Sequence, residues 1–211
     1  MSAAPRPPAR TAVVARHYLG MLGSGTALKG IGLAAAASLW TSTNTVEAFA
    51  GMTAWLPLMA FLPLFQWRGG GGWDPEPALP LAGVRHDLVR VACGLAWAAA
   101  TLVLPAALWS FGAWTSSYPG WYPLLMVAAG LGYYLLGSAV WLRAAHPGRV
   151  LLVVLLLAPA LWEALGLGPA AWTVVYASRA ELRGVGAAQG IAAAAAWLAA
   201  GCAAVGLAAA V

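Results

Sequence analysis

The chain has 211 residues, of which 62% are hydrophobic and 8% are charged, and its formal net charge at pH 7 is +5. Soluble domains carry roughly 25% charged residues, so this composition excludes an ordinary water-soluble domain and indicates an integral membrane protein. The basic residues lie between apolar stretches and form no basic stripe with interleaved aromatic residues, which argues against nucleic acid as a partner.

Residues 1–24 predict a cytoplasmic tail followed by a short helix that lies in the membrane interface. On a helical wheel, the apolar residues of this segment share one side, namely Val14, Ala15, Tyr18, Leu19, Met21 and Leu22. The opposite side carries Arg10, Arg16, His17 and Gly20, as is typical of an interfacial amphipathic helix. The alternative is an N-terminal extension of the first span, although Gly23-Ser24-Gly25 favours a break.

Residues 25–211 are predicted to form one transmembrane domain of six helices, because each span needs about 20 predominantly apolar residues. The predicted spans cover residues 26–45, 49–67, 89–110, 122–142, 150–167 and 187–211. Six spans place both termini on one side of the membrane, and nine of the eleven Arg and Lys residues fall on that side. The positive-inside rule therefore predicts that both termini are cytoplasmic.

The longest polar interval is the predicted cytoplasmic loop 66–90. It contains the glycine run Gly69–Gly72, followed by Pro75 and Pro77, and these residues disfavour regular structure. Residues 83–90 then read as a short exposed helix that continues into the third span. A flexible loop followed by an exposed helix on top of a membrane helix is typical of a docking element for a soluble partner.

Residues 168–186 are too apolar for a loop in water and too short to cross the membrane and return. They predict either a re-entrant hairpin in the outer leaflet or a long fifth helix that kinks at Pro169. Glu163 is predicted as the one truly intramembrane charge, because Lys29 and Arg90 are assigned to the cytoplasmic ends of their spans, and an ionisable group within a span is costly. It either forms a structural contact with Arg179 or Arg183 or lines a transport pathway.

No catalytic, cofactor-binding or metal site is predicted, so the chain is not expected to be an enzyme. Residues 23–30 resemble a phosphate-binding loop only superficially. Leu28 stands where that loop has its second glycine, and Gly30 stands where it has the Ser or Thr whose hydroxyl binds magnesium. The three histidines are predicted at the cytoplasmic surface and lack the spacing of a zinc site. Cys93 and Cys202 lie in predicted spans, where a thiol behaves as a small apolar side chain.

This layout resembles the six-helix permease subunits of ABC-type exporters that are built from separate membrane and ATPase polypeptides. Those permeases begin with an amphipathic elbow helix, which Thr11–Leu22 matches, and they have an outer re-entrant hairpin, which residues 168–186 would supply. The segment Leu79-Pro80-Leu81-Ala82-Gly83-Val84-Arg85-His86-Asp87 is similar to the start of their coupling helix. Ala82 departs from the Ser or Thr that is usual there.

The resemblance implies a permease in a bacterial inner membrane, where two protomers, identical or similar, pair to form the translocation path. A separate ATPase would hold ATP and Mg²⁺, so this chain would need no cofactor. The residues expected to contact that ATPase are Leu81, Val84, Arg85, His86 and Asp87. Two other classes fit the composition: the substrate-capture subunit of a vitamin importer, and a structural or enzymatic subunit of a larger membrane complex.

Overall fold

The computed structural model of the chain describes residues 10–22, 56–67, 83–100, 119–154 and 184–210. All regular secondary structure in these ranges is helical, which confirms the predicted all-α class. The helices are α1 (Arg10–Leu22), α2 (Leu62–Trp67, preceded by a 3-10 turn at Met59–Phe61), α3 (Val84–Ala98), α4 (Tyr122–Arg143) and α5 (Ala187–Ala210). Residues 147–154 are also helical.

Within the described part of the chain, two helices are long and apolar enough to cross a membrane. They cover Leu124–Arg143, within α4, and Ala187–Ala210, which is α5, with mean hydropathies of 1.6 and 2.0. Both coincide with predicted spans, the fourth and the sixth. The predicted first span, 26–45, and most of the predicted fifth, 150–167, lie outside the described residues.

The ends of these two helices follow from local sequence. Pro123 stands in the first turn of α4, where its missing N–H would have had no partner within the helix. The last turn of α4 gives way to extended backbone at Ala144. Ahead of α5, the side-chain oxygen of Gln189 accepts a hydrogen bond from the Gly186 N–H at 3.1 Å, which satisfies one amide of the first turn.

Helices α4 and α5 pack together along their whole length and run in the same direction. Trp121 lies against Gly190 at one end, and Gly132 lies against Trp197 further along. At the other end, the Arg143 Nε–H donates a hydrogen bond to the Ala208 carbonyl oxygen. Because residue numbers rise together along both helices, the pair is parallel. Glycines at the contact let the two backbones approach closely.

The main hydrophobic core lies around α4, which is covered by α5, α3 and the segment 56–67. Its buried side chains include Leu56, Met59, Leu125, Tyr133 and Trp197. The backbone of Ala60 touches Gly137 of α4 so closely that a Cβ at Gly137 would overlap the Ala60 carbonyl group. The short segment before α2 is therefore seated directly on the middle of α4.

Helix α1 packs on α3 and forms a second, smaller core. Val14, Tyr18 and Leu22 are buried there together with Cys93 of α3. Leu19 and Met21 are exposed, although the helical wheel places them on the same side as the buried residues. The buried face is narrower than predicted because, among the described helices, α1 packs mainly on α3, and one column of side chains, spaced four residues apart, fills that contact.

Candidate docking site at the start of α3

The first turn of α3 is fixed by Gly83. This residue has φ 63° and ψ −149°, a backbone conformation that is essentially restricted to glycine. Its carbonyl oxygen accepts hydrogen bonds from the backbone N–H groups of His86, at 2.9 Å, and Asp87, at 3.3 Å. Asp87 also places its carboxylate in the first turn, near the positive end of the helix dipole. The chain thus turns sharply at Gly83 and enters the helix at once.

One side of this turn is exposed. Val84 and Leu88 have relative exposures of 47% and 42%, and Arg85 between them is exposed as well. The Asp87 side chain is 41% exposed. We call Val84, Arg85 and Leu88 the docking face. It carries two apolar side chains around one positive charge, a composition suited to contact with another protein.

His86 points to the opposite side of the helix. It is 7% exposed, and its Nε2 atom lies 2.6 Å from the hydroxyl oxygen of Tyr18 on α1. Its Nδ1 atom lies 3.7 Å from the nearest Asp87 carboxylate oxygen. The 2.6 Å distance is that of a hydrogen bond between the Tyr18 hydroxyl and the imidazole ring, and it ties the first turn of α3 to α1. His86 therefore contacts α1 within the chain, whereas the sequence placed it among the partner-binding residues.

Arg90 lies one turn beyond His86 on the same side of α3. Its Cζ atom is 4.5 Å from the ring centroid of Trp141 on α4 and 5.4 Å from that of Tyr18 on α1. Both distances are within the range of a cation–π interaction. We call Tyr18, His86, Arg90 and Trp141 the junction, because these four side chains bring α1, α3 and α4 together.

A polar bridge crosses the core near α2. The Tyr134 hydroxyl donates to Gln66 Oε1 at 2.8 Å, and Gln66 Nε2 donates to the Gly94 carbonyl oxygen at 3.3 Å. The bridge joins α2, α3 and α4, and it pairs the amide of Gln66 with a donor and an acceptor from two other helices. Gln66 is half-buried, and such pairing is favourable because an amide that is shielded from water without partners is costly.

Several residues named by the sequence interpretation lie outside the described residues: Leu81, Glu163, Arg179, Arg183 and the run Gly69–Gly72. Among the residues that the structure describes, no group of three or more His, Cys, Asp or Glu side chains could hold a metal ion. No disulfide joins the two cysteines, of which Cys93 is buried and Cys202 exposed.

Sequence reasoning missed the junction and the polar bridge. The wheel placed Tyr18 on the apolar side of α1, but nothing local to the sequence pairs it with a histidine 68 positions later. A weaker signal was present in Arg90 and Gln66, which are polar residues at the ends of predicted spans. Polar groups at such positions often bind another helix.

Comparison with known proteins does not assign the chain to a family. No protein-family model matches the sequence, and no curated protein and no solved structure matches it significantly.

Proposed function

We propose that the chain is the transmembrane permease subunit of an ATP-driven transporter of the ABC-exporter kind. In this proposal the chain has six spans, α1 is the elbow helix, and the docking face at the start of α3 binds a separate ATPase. That ATPase supplies the ATP and Mg²⁺ chemistry, and a second protomer completes the translocation path.

The observation that carries the proposal is the continuity of α3. A single helix begins with the exposed docking face and continues without a break into Val91–Ala98, which is apolar and packs in the core. A force applied to the docking face is therefore transmitted to the core along one continuous helix. This is what a permease worked by an external ATPase requires.

The parallel packing of α4 and α5 supports the multi-pass topology. If both helices cross the membrane, two parallel spans must be separated by an odd number of crossings. Those crossings fall in residues 144–186, where the sequence predicts the fifth span. A single fifth span is the simplest solution. Together with the three spans that the sequence predicts before α4, it would make six spans and put both termini on one side.

The surface of α5 supports a membrane location. Only 28% of the apolar stretch of α5 is buried, although its mean hydropathy is 2.0, whereas 67% of the apolar stretch of α4 is buried. Exposed apolar surface of that extent is unfavourable in water. It suits contact with lipid or with a second protomer in a bacterial inner membrane.

The test is a double substitution, Arg85→Ala in the docking face together with Asp87→Ala beside it. The tagged full-length chain is purified from its native membrane, and the ATPase bound per chain and the ATP hydrolysis of the preparation are measured. We expect the variant to elute from a sizing column as the wild type does, and to lose most of the bound ATPase. Arg149→Ala, which removes an exposed arginine elsewhere, is the matched control.

Two results would contradict the proposal. One is a wild-type preparation with no ATPase and no ATP hydrolysis. The other is a double variant that retains as much ATPase as the Arg149→Ala control, because the docking face would then not be the binding site.

A further inference from the structure

We propose that Arg90 is a positioning residue that couples the docking face to the α4–α5 pair, and that α1 holds it in place through Tyr18. This inference rests on the proposed function, because it assigns the route by which movement of the docked ATPase reaches the predicted spans. It gives α1 a role inside the chain that is separate from any contact with lipid.

The first step is the arrangement of side chains around α3. The docking face and the pair His86 and Arg90 lie on opposite sides of the same two helical turns, because residues four apart share a side. The docking face is exposed, whereas His86 is buried and Arg90 is half-buried. Any tilt or rotation of this end of α3 therefore moves the docking face and the junction together.

The second step is the contact of Arg90 with two neighbouring helices. Its guanidinium group lies 4.5 Å from the Trp141 ring on α4 and 5.4 Å from the Tyr18 ring on α1. A planar guanidinium stacks on aromatic rings in a way that a lysine ammonium does not reproduce. Tyr18 also holds α3 through its 2.6 Å contact with His86. The start of α3 cannot move without carrying Trp141 and α1 or breaking these contacts.

The third step links Trp141 to α5. Arg143, in the same turn of α4, donates to the carbonyl oxygen of Ala208 in the last turn of α5. Displacement of that turn of α4 therefore acts on both predicted spans. The route is docking face, Arg90, Trp141, and then the joined ends of α4 and α5.

The first measurement uses the purified chain without the ATPase. The reactivity of the buried Cys93 thiol shows whether α1 stays packed on α3. Cys93 lies one turn beyond Arg90, and its Sγ is 3.8 Å from the Ala15 carbonyl oxygen of α1, so α1 covers it. Cys202 is exposed on α5 and serves as an internal reference. The full-length chain in detergent is treated with N-ethylmaleimide, and the labelling rate of each cysteine is followed by peptide mass spectrometry.

We expect Arg90→Met, which keeps the length of the side chain but removes its charge, to raise the labelling rate of Cys93 relative to Cys202 by about tenfold. Tyr18→Phe, which removes one hydroxyl group, should raise it by a smaller factor, and Arg149→Met should leave it unchanged. Equal Cys93 labelling in the wild type, Arg90→Met and Tyr18→Phe would overturn the proposal, because Arg90 and Tyr18 would then not hold α1 on α3.

The second measurement uses the complex with the ATPase. We expect Arg90→Met to retain the ATPase bound per chain but to lower ATP hydrolysis per bound ATPase at least about fivefold, with partial recovery in Arg90→Lys. Unchanged hydrolysis per bound ATPase, or loss of the ATPase itself, would overturn the coupling role while leaving the proposed function intact. Absence of any ATPase from the wild type would instead overturn the proposed function and the coupling role together.

Discussion

The close packing between Gly137 of α4 and the backbone of Ala60 can be tested by a substitution that adds volume at this contact. The perturbation is Gly137→Ala, which adds one methyl group. The three atoms nearest to the added Cβ are the carbonyl oxygen, carbonyl carbon and Cα of Ala60, all of them backbone. Backbone cannot move aside as the end of a flexible side chain does, so α4 and the segment before α2 must separate. Gly206→Ala in α5 is the matched control, because a Cβ there meets nothing within 4 Å.

The expected difference in stability between Gly137→Ala and Gly206→Ala follows from two effects. Replacing glycine by alanine inside a helix favours the helix by about 1 kcal/mol, and this effect applies equally to both variants. Overpacking a well-filled contact costs roughly 1–3 kcal/mol, and this effect applies only at position 137. Gly206→Ala should therefore be as stable as the wild type or more so, and Gly137→Ala should be about 1–3 kcal/mol less stable than Gly206→Ala.

The assay is thermal unfolding of both variants in the same detergent, followed by circular dichroism and by loss of the monodisperse peak on a sizing column. For a chain of this length, the expected difference in the free energy of unfolding corresponds to a difference in Tm of about 2–12 °C. Equal melting of the two variants would refute the reasoning, since the contact between Ala60 and Gly137 would then carry no steric constraint. A lower melting temperature for Gly206→Ala would refute it as well.

Two further predictions concern the polar bridge and the start of α3. Tyr134→Phe should lower the free energy of unfolding by about 0.6–1.7 kcal/mol in the same melting assay, because it leaves Gln66 Oε1 without the Tyr134 hydroxyl. An unchanged Tm would show that the bridge contributes nothing to stability. Gly83→Ala should cost about 1–3 kcal/mol, because alanine is strained at φ 63°, and it should reduce the ATPase bound per chain. Gly120→Ala, where a Cβ meets nothing within 4 Å, is its control, and equal ATPase recovery from the two would count against a docking site set by Gly83.

The sequence predicted the helices that depend on local composition. The fourth predicted span, 122–142, agrees with α4, Tyr122–Arg143, and the sixth, 187–211, agrees with α5, Ala187–Ala210. The N-terminal helix was predicted within one residue of α1, Arg10–Leu22, and the start of the helix near residue 83 within one residue of the first residue of α3, Val84. Uninterrupted apolar length, amphipathic spacing and the Gly and Pro residues that bound a helix are all properties of neighbours in the chain.

The tertiary structure alone decided which side chains meet. His86 and Asp87 are adjacent in sequence, yet His86 is buried against Tyr18 while Asp87 remains partly exposed. The sequence could not separate them, because a helix presents residues on every side and only the position of α1 determines which side is covered.

The same reason applies to the parallel pairing of α4 with α5 and to the polar bridge from Gln66 to Tyr134. These contacts join residues 65 and 68 positions apart. Composition and periodicity specify that each helix has an apolar surface, but many partner helices could cover such a surface. The choice among them is made by steric fit at glycines and by the pairing of a few polar groups, and both depend on the three-dimensional arrangement of distant segments.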